Sequence, residues 1–130
     1  MTSKRVRLGL LGCGVVGGGL IELVRRNRAA LARRTGVELE LRRVLVRDLG
    51  KPRAVERTLL TDRPEQVLEA DDIDVVVELI GGVEPARSFV TRALAAGKPV
   101  VTANKALLAH SGAELFRLAA ERGRRIGYEA

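Results

Sequence analysis

The apolar positions of this chain follow two alternating rhythms. Val6-Arg7-Leu8-Gly9-Leu10-Leu11 is a short, mostly apolar run of strand length. Leu20, Leu23, Val24 and Leu31 then recur at helical spacing, and Thr35-Gly36 closes that helix just after Arg34. Glu38-Leu39-Glu40-Leu41 alternates, and Arg42 to Val46 completes a second strand. A turn-rich loop, Arg47 to Arg53, leads on to Pro64–Ala70, a short helix with proline in its first turn. Asp74 to Ile80 has the continuous apolar character of a parallel strand buried on both faces. Gly81-Gly82 ends it, a helix runs from Pro85 to Gly97, and Pro99-Val100-Val101-Thr102 is the next strand. Ser111-Gly112-Ala113-Glu114 reads as a capping box opening a helix that ends near Gly123, before a last strand at Ile126–Glu129. Strands that alternate with helices predict an α/β fold, a doubly wound and mostly parallel sheet, with residues 1–130 forming one domain.

Ligands of such sheets bind beyond the carboxyl ends of the strands. That rule puts the loop after the first strand, Arg47, Gly81-Gly82, the turn Thr102-Ala103-Asn104-Lys105 and Glu129 on the ligand side. Asp71, Asp72 and Asp74 precede a strand and fall on the opposite edge, as solvated connectors rather than a metal cluster. The first loop is Gly12-Cys13-Gly14-Val15-Val16-Gly17, a Gly-x-Gly-x-x-Gly pattern between a strand and a helix. Gly12 permits the tight turn, Gly14 lets the backbone approach a pyrophosphate, and Gly17 lets helix and strand pack closely. The helix N-terminus then offers free N–H groups and a favourable dipole to the phosphates. Cys13, the single cysteine, reads as a small residue fitting this turn and excludes an internal disulfide. His110, the single histidine, reads as a surface residue.

The formal charge of +7 comes almost wholly from arginine. The arginines are scattered over predicted helix faces, and Phe89, Phe116 and Tyr128 are too few aromatics for a base-stacking platform. Nucleic-acid binding is therefore not expected, although the surface suits an anionic cofactor. No stretch approaches the length of a membrane span, and the charged N-terminus leads into a strand rather than a signal peptide, which gives a cytoplasmic expectation. At the end of the second strand stands Arg47, followed by Asp48, Lys51 and Arg53. A guanidinium there suits the 2′-phosphate of NADP, while Asp48 leaves NAD open.

Three stretches carry a more specific signal: Val76–Ala86 (Val-Val-Glu-Leu-Ile-Gly-Gly-Val-Glu-Pro-Ala), Ala96–Ala109 with Thr102-Ala103-Asn104-Lys105 at its centre, and Tyr128-Glu129-Ala130. With the N-terminal glycine loop and the Val46–Arg53 loop, they resemble homoserine dehydrogenase over essentially the whole chain. The resemblance implies hydride transfer between L-homoserine and L-aspartate 4-semialdehyde with NAD or NADP, on the route to threonine, methionine and isoleucine. It implies that Gly12, Gly14, Val15, Val16 and Gly17 bind the pyrophosphate; Gly81, on the ligand side by the strand-exit rule, is a further candidate to bind the cofactor. Arg47 would approach the adenosine ribose or its phosphate, and Lys105 would lie near the nicotinamide and the reacting centre. Glu129 would belong to a monovalent-cation (sodium) region. Thr102 has two readings, a hydroxyl offered to the cofactor or plain strand packing, and Asn104 reads as a residue tolerant of a tight turn. The family continues past the Glu-Ala pair into a catalytic and dimerisation domain that this chain lacks. The chain alone is thus expected to bind cofactor without turnover, and a homodimer is expected only through that domain. The competing reading is a regulatory nucleotide-sensing module without catalysis. The Thr102–Lys105 turn and the Glu129-Ala130 end give no reason for that role.

Overall fold

A computed structural model describes residues 4–12, 15–50 and 55–128, with the side chains of residues 15–17 left aside. The elements run β1 (Lys4–Leu11), α1 (Val15–Thr35), β2 (Val37–Leu45), a 3-10 turn (Arg57–Leu59), β3 (Leu60–Thr61), α2 (Glu65–Leu68), β4 (Val75–Glu78), α3 (Ala86–Ala95), β5 (Val100–Thr102), α4 (Lys105–Glu121) and β6 (Ile126–Tyr128). The strands form one sheet in the order β3-β2-β1-β4-β5-β6, and every pairing is parallel. This is the doubly wound α/β architecture expected from the strand–helix alternation. The order reverses between β1 and β4, the place where such sheets open a crevice.

Alternation along the strands divides the core between the two faces. Leu8, Leu10, Val44 and Val77 pack with Ile21 of α1 on one face. Leu11, Leu45, Val76 and Val100 pack with α2, α3 and α4 on the other, against Val67, Val90, Leu94, Leu107 and Leu115. Leu23 departs from the expected apolar stripe of α1: it is exposed, and Leu20, Ile21 and Val24 form the inward face. Gly9 permits the close approach of α2, since a Cβ there would stand 2.8 Å from Val67 Cγ1.

The register of β1 on β2 slips between Leu8 and Gly9, so Leu8 faces Leu41 while Gly9 faces Arg43. The irregularity lets the consecutive Arg42 and Arg43 both reach Asp72 Oδ2, each at 3.2 Å. Asp74 is ion-paired with Arg7 at 3.0 Å. Two of the three aspartates read as solvated connectors thus clamp β1 and β2 to the loop before β4.

The largest correction concerns α4. Its first residue is Lys105, six positions before the expected capping box. Asn104 is the N-cap, its side chain accepting from Leu107 N at 3.0 Å. Ser111 is buried within the helix beside His110 Nδ1, and Glu114 bonds Arg87 of α3 instead of reaching back to a cap. Asn104 also has φ −81°, so it caps a helix rather than tolerating a left-handed turn.

Candidate functional site

The registers align the carboxyl ends of all six strands. Thr61, Leu45, Leu11, Glu78, Thr102 and Tyr128 stand side by side across the sheet. Whatever follows each of them emerges on a single edge, which places Gly12, Arg47, Gly81-Gly82 and Lys105 there. Gly14 and Glu129 lie outside the described residues, as do Cys13 and the Lys51–Arg53 part of the basic loop. Val15, Val16 and Gly17 form the start of α1.

Gly12 holds the exit of β1. Its φ of +95° is a region that favours glycine, and an added Cβ would come within 3.3 Å of Ile80 Cγ1 and 3.4 Å of the Leu79 carbonyl. Its N–H donates to Leu45 O at 3.0 Å, while Leu79 N donates to Leu11 O at 2.9 Å. The turn is therefore fixed from both neighbouring strands. The helix that follows has no acidic residue in its first turn, and neither has α4. Neither first turn carries a carboxylate of its own to repel an anion from the positive dipole end, which fits the phosphates of a dinucleotide.

Arg47 is exposed two residues beyond β2 and makes no ion pair among the described residues. Many other arginines are committed to carboxylates: Arg25 to Glu56, Arg26 to Glu22, Arg28 to Glu38, Arg92 to Glu69. Behind Arg47, Asp48 Oδ1 accepts from Gly50 N at 2.8 Å and tightens the loop. Lys105 is likewise exposed and unpaired among the described residues, at the N-terminus of α4. Gly81 and Gly82 are exposed with φ +83° and +70°, and a Cβ on either would meet nothing within 4 Å. The backbone of this loop is therefore open to a ligand.

Thr102 requires a correction as a cofactor residue. It is buried, its hydroxyl donates to Glu78 Oε1 at 2.6 Å, and its oxygen accepts from Asn104 N at 3.0 Å. The proton it would offer a cofactor is already placed. Glu78 itself, a fully buried carboxylate at the end of β4, is not among the residues the sequence motifs single out. A charged residue inside an otherwise apolar strand was the available signal.

Beside the edge, the Ser88 hydroxyl donates to Glu84 Oε2 at 2.7 Å and Ser88 N to its Oε1 at 3.0 Å. These bonds hold the Glu84 carboxyl below its ordinary pKa. An apolar cavity of about 160 Å³ lies between α1 and the sheet, lined by Leu8, Leu10, Ile21, Val24, Leu39 and Leu41 among others. It is made of mid-strand and helix residues rather than carboxyl-edge ones and offers no chemistry to the site.

The sheet order, the glycine-held switch point and the cationic carboxyl edge define a dinucleotide-binding α/β domain of the Rossmann type. Comparison with known proteins narrows this class. Residues 12–129 match the family described as homoserine dehydrogenase, NAD binding domain. A homoserine dehydrogenase of Bacillus subtilis is 41% identical over 129 residues, covering 98% of this chain and 30% of that protein. One from Corynebacterium glutamicum is 46% identical over 114 residues, covering 87% of this chain and 26% of that protein. The crystal structure of a homoserine dehydrogenase from Thiobacillus denitrificans superposes with a TM-score of 0.91 at 47% identity, covering 98% of this chain and 30% of that one. The chain belongs to the homoserine dehydrogenase family, as its NAD-binding domain. It spans about 30% of the length of the relatives it matches most fully.

Proposed function

We propose that this chain is the cofactor-binding part of an enzyme that interconverts L-homoserine and L-aspartate 4-semialdehyde, on the route to threonine, methionine and isoleucine. The observation that carries the reading is the common edge on which the Gly12 turn, Arg47, the Gly81-Gly82 loop and Lys105 emerge from neighbouring strands. Gly12, Gly14 and Gly17, with Val15 and Val16, cradle the pyrophosphate at the start of α1. Arg47, two residues beyond the end of β2, favours NADP over NAD by bidentate contact with a 2′-phosphate. Gly81 brings its backbone against the nicotinamide half.

The bound nicotinamide cofactor supplies the hydride acceptor or donor. The chain contributes orientation and charge. Lys105 Nζ donates a hydrogen bond to the substrate oxygen that gains negative charge as hydride moves, and so stabilises the transition state more than the ground state. Glu129, next after the β6 residue Tyr128, is one ligand of a monovalent cation, sodium in this reading. The substrate-binding and dimer-forming surfaces belong to the part of the enzyme outside residues 1–130. The chain by itself binds cofactor and does not turn over homoserine, and the enzyme works in the cytoplasm. Among the described residues no helix is long and apolar enough to cross a membrane.

Calorimetric titration of the complete protein with NADPH and NADH, followed by an assay of homoserine-dependent NADPH formation, tests the reading. Binding of either dinucleotide with turnover of homoserine supports it. Binding without turnover of homoserine removes the substrate assignment, and absence of binding removes the cofactor site.

A further inference from the structure

We propose that Glu78 is a positioning residue for the nicotinamide half of the site: its buried carboxylate ties the Gly81-Gly82 loop to the N-terminus of α4 and so fixes Lys105 relative to the cofactor. The inference rests on the reading of this edge as the cofactor site.

Glu78 is 1% exposed, and among the described residues no lysine or arginine is a hydrogen-bond partner of it. A carboxylate buried in this way is tolerated only when its lone pairs are filled. Here the donors come from the exits of two neighbouring strands. Ile80 N and Gly81 N donate to Oε2 at 2.9 and 3.0 Å from the β4 exit. The Thr102 hydroxyl donates to Oε1 at 2.6 Å and Asn104 Nδ2 reaches Oε2 at 3.4 Å, from the β5 exit. Asn104 closes the connection. Its Nδ2 donates to Gly82 O at 2.6 Å, while its Oδ1 caps α4 through Leu107 N.

The loop gripped in this way has little order of its own. Two successive glycines at positive φ carry no side chains to pack, and glycine loses more conformational freedom on ordering than any other residue. Its conformation is set from beneath, by Glu78 holding the Gly81 N–H and Asn104 holding the Gly82 carbonyl. Lys105 is the next residue after Asn104 and the first of α4. One buried carboxylate therefore sets two surfaces at once, the glycine backbone and the site of the Lys105 ammonium. Arg47 leaves β2, two strands away across β1, and takes no part in this network. Glu78 thus governs one half of the dinucleotide and leaves the adenosine half alone.

The test is calorimetric titration of the complete protein with NADPH and with adenosine 2′,5′-bisphosphate, which carries only the adenosine half. Glu78→Gln keeps the shape but leaves the four donors one acceptor short. It should weaken NADPH by about tenfold or more, the range for a lost charged hydrogen bond, and change the bisphosphate by less than about twofold. Asn104→Asp separates positioning from capping, because aspartate caps a helix as well as asparagine. It removes the donor to Gly82 O and places a second carboxylate beside Glu78, so it too should weaken NADPH selectively. If Glu78→Gln does not fold, Thr102→Val and Thr102→Ser replace it. The valine should show the selective loss and the serine, which keeps the hydroxyl, should reverse it. Equal losses for the two ligands, or unchanged NADPH affinity, overturn the proposal while leaving the cofactor site standing. Failure of the wild-type protein to bind either ligand removes the cofactor reading, and this inference with it.

Discussion

Arg7 and Asp74 are joined four times over. Arg7 Nε and Nη2 donate to the carboxylate at 3.0 and 3.1 Å, Arg7 N donates to Oδ2 at 2.8 Å, and Asp74 N returns a bond to Arg7 O at 2.8 Å. The pair couples the middle of β1 to the entry of β4, on the edge opposite the candidate site. Asp72 does the same for β2 through Arg42 and Arg43. β1 and β4 flank the switch point, so these clamps hold the two strands whose far ends shape the crevice.

The clamps make stability depend on pH in a defined direction. The hydrogen bond from Arg7 is the main influence on Asp74 and holds its carboxyl below the ordinary range. At Asp72 partial burial pushes upward, but the Arg42 hydrogen bond and the charges of Arg43 and Arg42 outweigh it. A carboxyl lowered in the folded state adds stability above its unfolded pKa, near about 4, and that stability is lost as pH falls through the lower folded value. Urea unfolding between pH 7 and pH 2.5 should show this loss below about pH 4. Asp74→Asn should cost about 1 kcal/mol at pH 7, the scale for a partly exposed pair, and flatten the acid slope. An unchanged slope would mean that Asp74 is not the titrating clamp.

The parts of the fold legible in the sequence were those whose cause is local. The glycine turn after β1, the apolar β4, and the helices ending at Gly36, Gly97 and Gly123 each carry their own signal, and all three glycines have positive φ. The start of α4 is not where the Ser-x-x-Glu pattern puts it, because such a pattern is a cap only if nothing upstream caps first. Asn104 does so, with Leu107, Leu115 and Ala119 continuing the buried stripe. The two-residue β3 was too short to leave a period. Gly12, Arg47, Gly81 and Lys105 are legible in the sequence as residues at strand exits. The network beneath them was not, since Glu78, Thr102 and Asn104 meet through the pairing of β4 with β5, which spacing alone does not encode.

Lys98 lies within the stretch that carries the family resemblance, yet it belongs to the scaffold. Its buried ammonium donates to Ala70 O at 2.6 Å and Ile73 O at 2.7 Å, pinning the loop before β4 on the amino edge. Lys98→Met keeps the aliphatic stem, takes the ammonium from Ile73 O and leaves Ala70 O only the 3.3 Å bond from Ile73 N. It should cost roughly 1–3 kcal/mol of stability, read by urea unfolding, with NADPH affinity unchanged. A selective loss of NADPH binding would move Lys98 into the site.

Arg47 is expected to read the adenosine ribose. Because it has no ion-pair partner among the described residues, its removal should cost the fold little. Arg47→Ala should weaken NADPH more than NADH by roughly 1.5–3 kcal/mol, the worth of a charged hydrogen bond, as measured by calorimetry. Equal losses for both cofactors would place the 2′-phosphate elsewhere.

Lys105 offers the sharpest separation of function from stability. It is the first residue of α4, where the positive end of the helix dipole disfavours a cation, and no carboxylate in the first turn offsets it. On stability alone the position calls for a neutral or acidic residue. Lys105→Ala should therefore leave the fold as stable as before, or raise its stability by about 0.3–1 kcal/mol. In the complete enzyme the same substitution should lower kcat for homoserine oxidation by about a hundredfold or more, the scale of losing one group that stabilises transition-state charge. Adenosine-half affinity should stay unchanged, because that half is proposed to contact the exit of β2, away from α4. Thermal unfolding and NADPH formation from homoserine, measured on one preparation, give both signs together. A destabilised variant with near-normal kcat would make Lys105 a structural residue. Lost turnover in an equally stable protein would assign its charge to the reaction.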